Sequence, residues 1–223
     1  MKKNIVIIGN GELAKNLAQY LYEDDRYNLL YFAIEKKYIN KKKIMRTSVI
    51  DLLELNKLYK KSFFYLINGV GYKQNNLIRE KIHVKLSKKF KFIKYIHSNA
   101  CVSKFAKVSV GSIVMPNATI ETGSNIGLGN VVWSNAVVGH GSKIGNFCWL
   151  SAGCVIGGDS IVKKNSFVGI NASITNKITI GENNIIGINT SIQKSTSKNS
   201  VFLTKQGERL NIKSELYSKL FLK

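Results

Sequence analysis

The sequence predicts an α/β unit followed by an all-β parallel solenoid. Two patterns carry this: aliphatic residues return every six positions from Val102 to Ile192, and ahead of them short apolar runs alternate with amphipathic stretches after a glycine-rich turn. Charge separates the same two parts. Of the formal +21, residues 1–101 hold +13, residues 102–192 only +3 and residues 193–223 the remaining +5. The basic excess favours anionic ligands, or is no more than the bias of a Lys- and Asn-rich chain. No RNA-binding signature or basic helix with interleaved aromatics points to nucleic acid.

The first unit opens with "KNIVIIGNGELAKNLAQYL", which reads strand, glycine turn, helix. Gly9, Gly11 and Ala14 match G-x-G-x-x-[GA], a pattern that lets backbone approach a phosphate at a helix N-terminus. A second strand, "LLYFAIE", ends at Glu35, where an acid can meet a ribose. A helix opened by a Ser48-x-x-Asp51 capping box is expected next. Then come a strand "FFYLING" ending in Asn68-Gly69, a helix over 74–89 and a strand "KFIKYI". Strands alternating with helices imply a small parallel sheet, too short for a complete dinucleotide fold. Gly9, Asn10, Gly11, Glu35, Asn68 and Gly69 are therefore the candidate nucleotide-binding residues. His83 flanks the Ile78/Ile82/Leu86 stripe of its helix, and His97 is placed to brace the boundary between the two units.

The solenoid follows from the six-residue period, sixteen aliphatic residues in succession. Four residues after most of them stands something small: Ala106, Ser112, Ala118, Ser124, Asn130, Ala136, Ser142, Cys148, Cys154, Ser160, Ser166, Ala172. One large and one small residue per side fill a coil interior in stacked layers, and no coil buries its face alone. Glycine follows the aliphatic residue at 127, 139, 145, 157, 169, 181 and 187, where a tight turn is expected. Cys148 and Cys154 occupy the small slot, and with Cys101 they form no CxxC, so neither a disulfide framework nor a zinc cluster is expected. The runs "IVIIG" and "FFYLI" are too short to cross a bilayer, and the start lacks a signal-peptide cleavage site, so the expected location is cytoplasmic with no membrane partner.

The pattern [LIV]-G-x-x-[STA]-x resembles the hexapeptide-repeat acyltransferases. With a half-Rossmann domain ahead of it, the chain resembles the bacterial sugar acyltransferases that N-acetylate nucleotide-linked 4-amino-4,6-dideoxy sugars or O-acetylate sialic acids. The resemblance rests on "IVIIGNGELA", "INGVGY", "YIHSNACVS", "VVGHGSKIG" and "GGDSIVKKNSFVGINASI". It implies a nucleotide-sugar domain over 1–96, a left-handed parallel β-helix over 97–200 with three hexapeptides per coil, and a tail over 201–223. It also implies acetyl-CoA as co-substrate, no metal, and a homotrimer with the cofactor in the groove between helices.

The resemblance makes His140 the general base that takes a proton from the attacking amine. One coil is then eighteen residues, which stacks Gly158 over His140, Asp159 over Gly141 and Glu121 under Gly139. Asp159 or Glu121 supplies the carboxylate that family members often carry beside the histidine, a place held here by Gly139 and Gly141. Backbone N–H groups of the next coil are expected to face the oxyanion. Gly158, Ala172 and Gly187 are expected along the cofactor, with Lys163, Lys164 and Lys194 at its phosphates. The chain departs from the family at Trp133, where asparagine is common, at Glu12-Leu13 in place of glycine-histidine, and in its C-terminal "VFLTKQGERL". The implied reaction is transfer of acetyl to the 4-amino group of a dTDP- or UDP-linked sugar for a surface polysaccharide, with sialic-type O-acetylation or a non-catalytic nucleotide-sugar scaffold as alternatives. A β-helical carbonic anhydrase needs three zinc histidines, and the solenoid has only His140. An NAD-dependent oxidoreductase would need a catalytic domain that does not follow the glycine loop.

Overall fold

The computed structural model describes residues 2–205, 207, 209, 213, 214 and 218. Most of the tail expected beyond residue 200 therefore lies outside the described residues.

The first unit is a five-stranded sheet in the order β3-β4-β2-β1-β5, with β1 Lys3–Ile8, β2 Tyr27–Ile34, β3 Lys43–Ile44, β4 Thr47–Asp51 and β5 Tyr65–Asn68. All pairs are parallel except the β3–β4 edge. Helix α1 (Glu12–Glu23) buries Leu13, Ala14, Leu17, Ala18 and Leu21, a stripe of helical spacing, against Ile5 and Ile7 of β1. Val6 and Ile8 point the other way and join Leu55 of α2 (Leu55–Tyr59) and Leu86 of α3 (Leu77–Ser87).

Two local expectations are corrected. Ser48 lies inside β4, because its neighbours Thr47, Val49 and Ile50 are β-branched and the run pairs with β2. The capping box is one turn later: Leu53 N donates to Asp51 Oδ1 at 3.1 Å, and Asp51 N to Glu54 Oε1 at 3.1 Å. "KFIKYI" is no strand of this sheet beyond a single bridge from Phe92 to Leu66. Its end, Tyr95–Ile96, is the first rung of the solenoid instead.

The solenoid consists of two-residue strands in three parallel sheets. Each expected aliphatic residue from Val102 to Ile192 is the second residue of a strand, and partners are eighteen apart, as in Val138↔Ile156. The small residues fill the spaces between. Their hydroxyls donate to the coil above, Ser112 Oγ to Gly127 O at 2.8 Å and Ser142 Oγ to Gly157 O at 2.9 Å, so buried polar groups are satisfied. The rungs run from Tyr95–Ile96 to Val201–Phe202.

The glycines after the aliphatic residues are needed for a different reason from the one expected. A Cβ on Gly139 would stand 2.8 Å from Gly158 N and Ile156 O, so closeness between coils excludes it. The left-handed backbone falls two residues later, at every sixth position from 111 to 189: Gly, Asn, and also Phe147, Asp159 and Lys177. Asparagine suits that conformation, which accounts for much of the asparagine in this half of the chain.

The outward residues of one sheet, Tyr95, Ile113, Val131 and Trp149, are buried against α1 and β1 in a shared core, with Phe167 half-buried beyond them. The other two sheets present Thr119 and Ser173, or Lys107, Asn125 and Lys143, at the same register. His83 is not a flank residue: it is 1% exposed, stacked on Phe92 at 3.9 Å and edge-on to Phe147. A Cβ on Gly111 would meet its ring at 2.3 Å. His97 braces the junction, its Nδ1 accepting from Asn99 N at 3.0 Å and its ring edge-on to Tyr20 at 4.8 Å.

Candidate active site

Val138 turns into the core, and the chain then rounds a corner that carries His140 outward. The ring lies against Gly158, one coil on: a Cβ there would be 2.4 Å from His140 Nε2. The corner is held from both sides. His140 N donates to Glu121 Oε2 at 2.7 Å, and Asp159 N donates to His140 O at 2.7 Å.

The two candidate carboxylates therefore differ. Glu121 grips the backbone. Asp159 faces the ring, its Oδ2 3.9 Å from His140 Nδ1, too far for a hydrogen bond. Asp159 has φ +57, the left-handed conformation that recurs at every sixth position of the solenoid.

The expectation of free backbone donors over the histidine is corrected. Gly157 N bonds Ile174 O, Gly158 N donates to Asn176 Oδ1 at 3.1 Å, and Asp159 N is taken by His140 O. Asn176, eighteen residues beyond Gly158, was not singled out from the sequence. Only the column His140, Gly158, Asn176, Lys194 points to it.

The cofactor candidates divide among three edges of the solenoid. Lys194 shares the His140 column, about 14 Å along it at the ~4.8 Å spacing of strands. Lys163 and Lys164 lie on the next edge, where a Cβ on Gly145 would be 2.7 Å from Lys164 N. Gly187 is on the third edge, 2.7 Å from Leu203 by the same measure. Ala172 shares that edge but is turned inward: it is wholly buried, with N bonded to Gly169 O and O accepting from Val155 N, so it offers a ligand nothing.

In the first unit, Ile8 is level with Ala33 and Asn68, so Gly9, Glu35 and Gly69 meet at the carboxyl edge of the sheet. Gly9 has φ +99, and Gly11 stands at the N-cap of α1, where no side chain caps the first amides of the helix. Asn10 Nδ2 reaches Tyr38 O at 3.4 Å, and Glu35 is exposed, 3.3 Å from Lys37 Nζ. Gly69 serves packing, since a Cβ would be 2.7 Å from Ala14 Cβ. Asn68 is withdrawn from the ligand set. It is fully buried, Nδ2 donating to Arg79 O at 2.9 Å and Oδ1 accepting from Val70 N at 3.2 Å.

Burial pushes the thiols of Cys148 and Cys154 up to about 12, so neither is a nucleophile. Among the described residues no group of His, Cys, Asp and Glu gathers to hold a metal, and no helix is long and apolar enough to cross a membrane.

No protein-family model matches the chain, and no curated protein is similar to it in sequence. Solved structures match it in fold. The acetyltransferase domain of PglB from Neisseria gonorrhoeae is 24% identical with a TM-score of 0.76, over 87% of this chain and 93% of that one. A variant of perosamine N-acetyltransferase from Caulobacter crescentus, in complex with CoA and GDP-perosamine, is 24% identical with a TM-score of 0.64, over 89% and 92%. WeeI from Acinetobacter baumannii is 13% identical with a TM-score of 0.60, over 90% and 96%. From the glycine loop to the last coils, the chain thus has the fold of these bacterial acetyltransferase structures.

Proposed function

We propose that the chain is a cytoplasmic, acetyl-CoA-dependent N-acetyltransferase acting on the 4-amino group of a nucleotide-linked 4-amino-4,6-dideoxy sugar, in surface glycan synthesis. The observation that carries this is the imidazole of His140 resting on Gly158 with Asp159 beside Nδ1. With the Nδ1 proton directed at Asp159, Nε2 keeps its lone pair and takes the proton of the amine as that nitrogen attacks the thioester carbonyl. Asp159 steadies the imidazolium that forms, and as the tetrahedral adduct collapses the C–S bond breaks and the imidazolium returns its proton to the departing CoA sulfur. The acyl oxygen reaches Gly158 N–H only by displacing the Asn176 carboxamide.

The half-Rossmann unit takes the nucleotide, its diphosphate at the N-terminus of α1 and its ribose near Glu35. Proteins of like fold include one described with CoA and GDP-perosamine, which supports the substrate class without fixing the base here. A homotrimer of left-handed β-helices supplies the wall that the exposed His140 lacks, with CoA in the groove between neighbours and Lys194 near its phosphates. Thiol release from acetyl-CoA across a panel of dTDP-, UDP- and GDP-linked amino sugars tests the proposal. Release with sialic-type sugars alone assigns O-acetylation, and release with none removes the enzymatic role.

A further inference from the structure

Arg79, in the first turn of α3, is wholly buried and, among the described residues, pairs with no carboxylate. Its guanidinium spans two parts of the molecule. Nη1 donates to Asn68 O and to Val70 O at 3.0 Å, and Nε donates to Gly129 O of the solenoid at 3.2 Å. Asn68 returns the contact through its own side chain. The turn 68–70 is thus drawn into the protein by its carbonyls, while Gly69 is pressed on Ala14 of α1, whose N-terminus forms the glycine loop. Beyond the turn, Tyr72 reaches over Trp149 and Phe167, each at 5.0 Å, and Gln74, Asn75 and Asn76 all have positive φ. Nη2 of Arg79 and the amide of Asn76 are sealed from solvent, so Arg79 meets no ligand itself.

Burying an unpaired cation is costly, and a packing role is served as well by Leu or Met. What only arginine supplies is a rigid fork that reaches carbonyls of both units at once. We propose that Arg79 is a positioning residue for the acceptor: it fixes the turn after β5 at the carboxyl edge of the sheet and registers that edge on the coil of Gly129. This rests on that edge being the nucleotide-sugar site.

Amide hydrogen exchange and steady-state kinetics of Arg79→Met and Arg79→Lys test it in the full chain. In Arg79→Met the amides of Gly69 and Val70 are expected to exchange about tenfold faster or more, and the KM for the nucleotide sugar to rise about tenfold, with kcat and the KM for acetyl-CoA within about twofold. Arg79→Lys, which keeps the charge and one carbonyl contact, is expected to fall between, and it carries the test if the Met variant does not fold. Unchanged exchange at 69–70, or equal losses for both substrates, overturns the proposal. A wild-type protein that neither binds nor turns over any nucleotide sugar overturns the assignment of the edge, and with it the role in acceptor binding. The exchange result then still decides whether Arg79 holds the turn.

Discussion

His140 Nε2 lies where a methyl group on Gly158 would have to go, 2.4 Å from the position of that Cβ. Gly158 has no left-handed backbone to defend, so alanine is accepted there by the chain and the imidazole is what moves. Gly158→Ala is expected to melt like the wild type while losing about a hundredfold in kcat, as a base displaced by an ångström does. An active Gly158→Ala protein would remove the proposed geometry.

His140→Ala is expected to lose a hundredfold or more at pH 7 with the fold intact, since the side chain lies outside the coil interior. An amine acceptor becomes its own base once it is free of its proton, so turnover should return toward alkaline pH. A pH-rate profile parallel to that of the wild type would argue against the role.

Asp159→Asn and Glu121→Gln separate the two carboxylates. The first removes the charge beside the ring and is expected to lower kcat about tenfold or more. The second keeps an acceptor for His140 N and is expected to cost less than threefold. The reverse order in kcat would make Glu121 the partner of the ring.

His83 gives the fold a pH dependence of its own. Burial, with the charge of Arg79 adding to it, lowers its pKa from 6.5 to about 4. The native state then binds fewer protons than the unfolded one between those values. The associated stability is complete above pH 6.5 and is lost as pH falls toward 4, by on the order of 2–3 kcal/mol. His83→Phe should flatten this part of the profile in thermal melts at pH 8, 6 and 5. An unaltered slope would place the acid sensitivity elsewhere.

Gly11→Val probes the glycine loop cleanly, because nothing lies within 4 Å of the position its Cβ would take. The wild type is expected to gain Tm with UDP, TDP or GDP, and the variant to fold normally and lose that gain. Stabilisation by NAD alone would mean that the crevice takes a dinucleotide.

The solenoid was legible because one interior position per six residues must be aliphatic, and the eighteen-residue coil then placed Gly158 and Asp159 correctly around His140. What stayed hidden depends on which outward positions are covered. Tyr95, Ile113, Val131, Trp149 and Phe167 recur every eighteen residues as apolar residues where the other sheets carry mostly polar ones, a signal present in the sequence but masked by the shorter period. Arg79 had no local mark, since its partners are backbone carbonyls and a carbonyl has no letter of its own. Asn68 misled for the same reason: a polar residue at a strand end reads as a ligand group until the helix carbonyl that it serves is seen.

The docking of α1 on Tyr95, Ile113, Val131 and Trp149 makes the coil a ruler. The first unit is docked on the rungs from Tyr95 to Trp149, with Tyr72 extending the contact to Phe167, so His140 stands between docked rungs. A coil gained or lost among these rungs, a step of about 4.8 Å, would put the docked face out of register with the first unit. Duplicating one coil between Ile113 and Phe167 should therefore loosen the first unit from the solenoid, whereas adding one after Ile192 should leave the docking and the setting of His140 untouched.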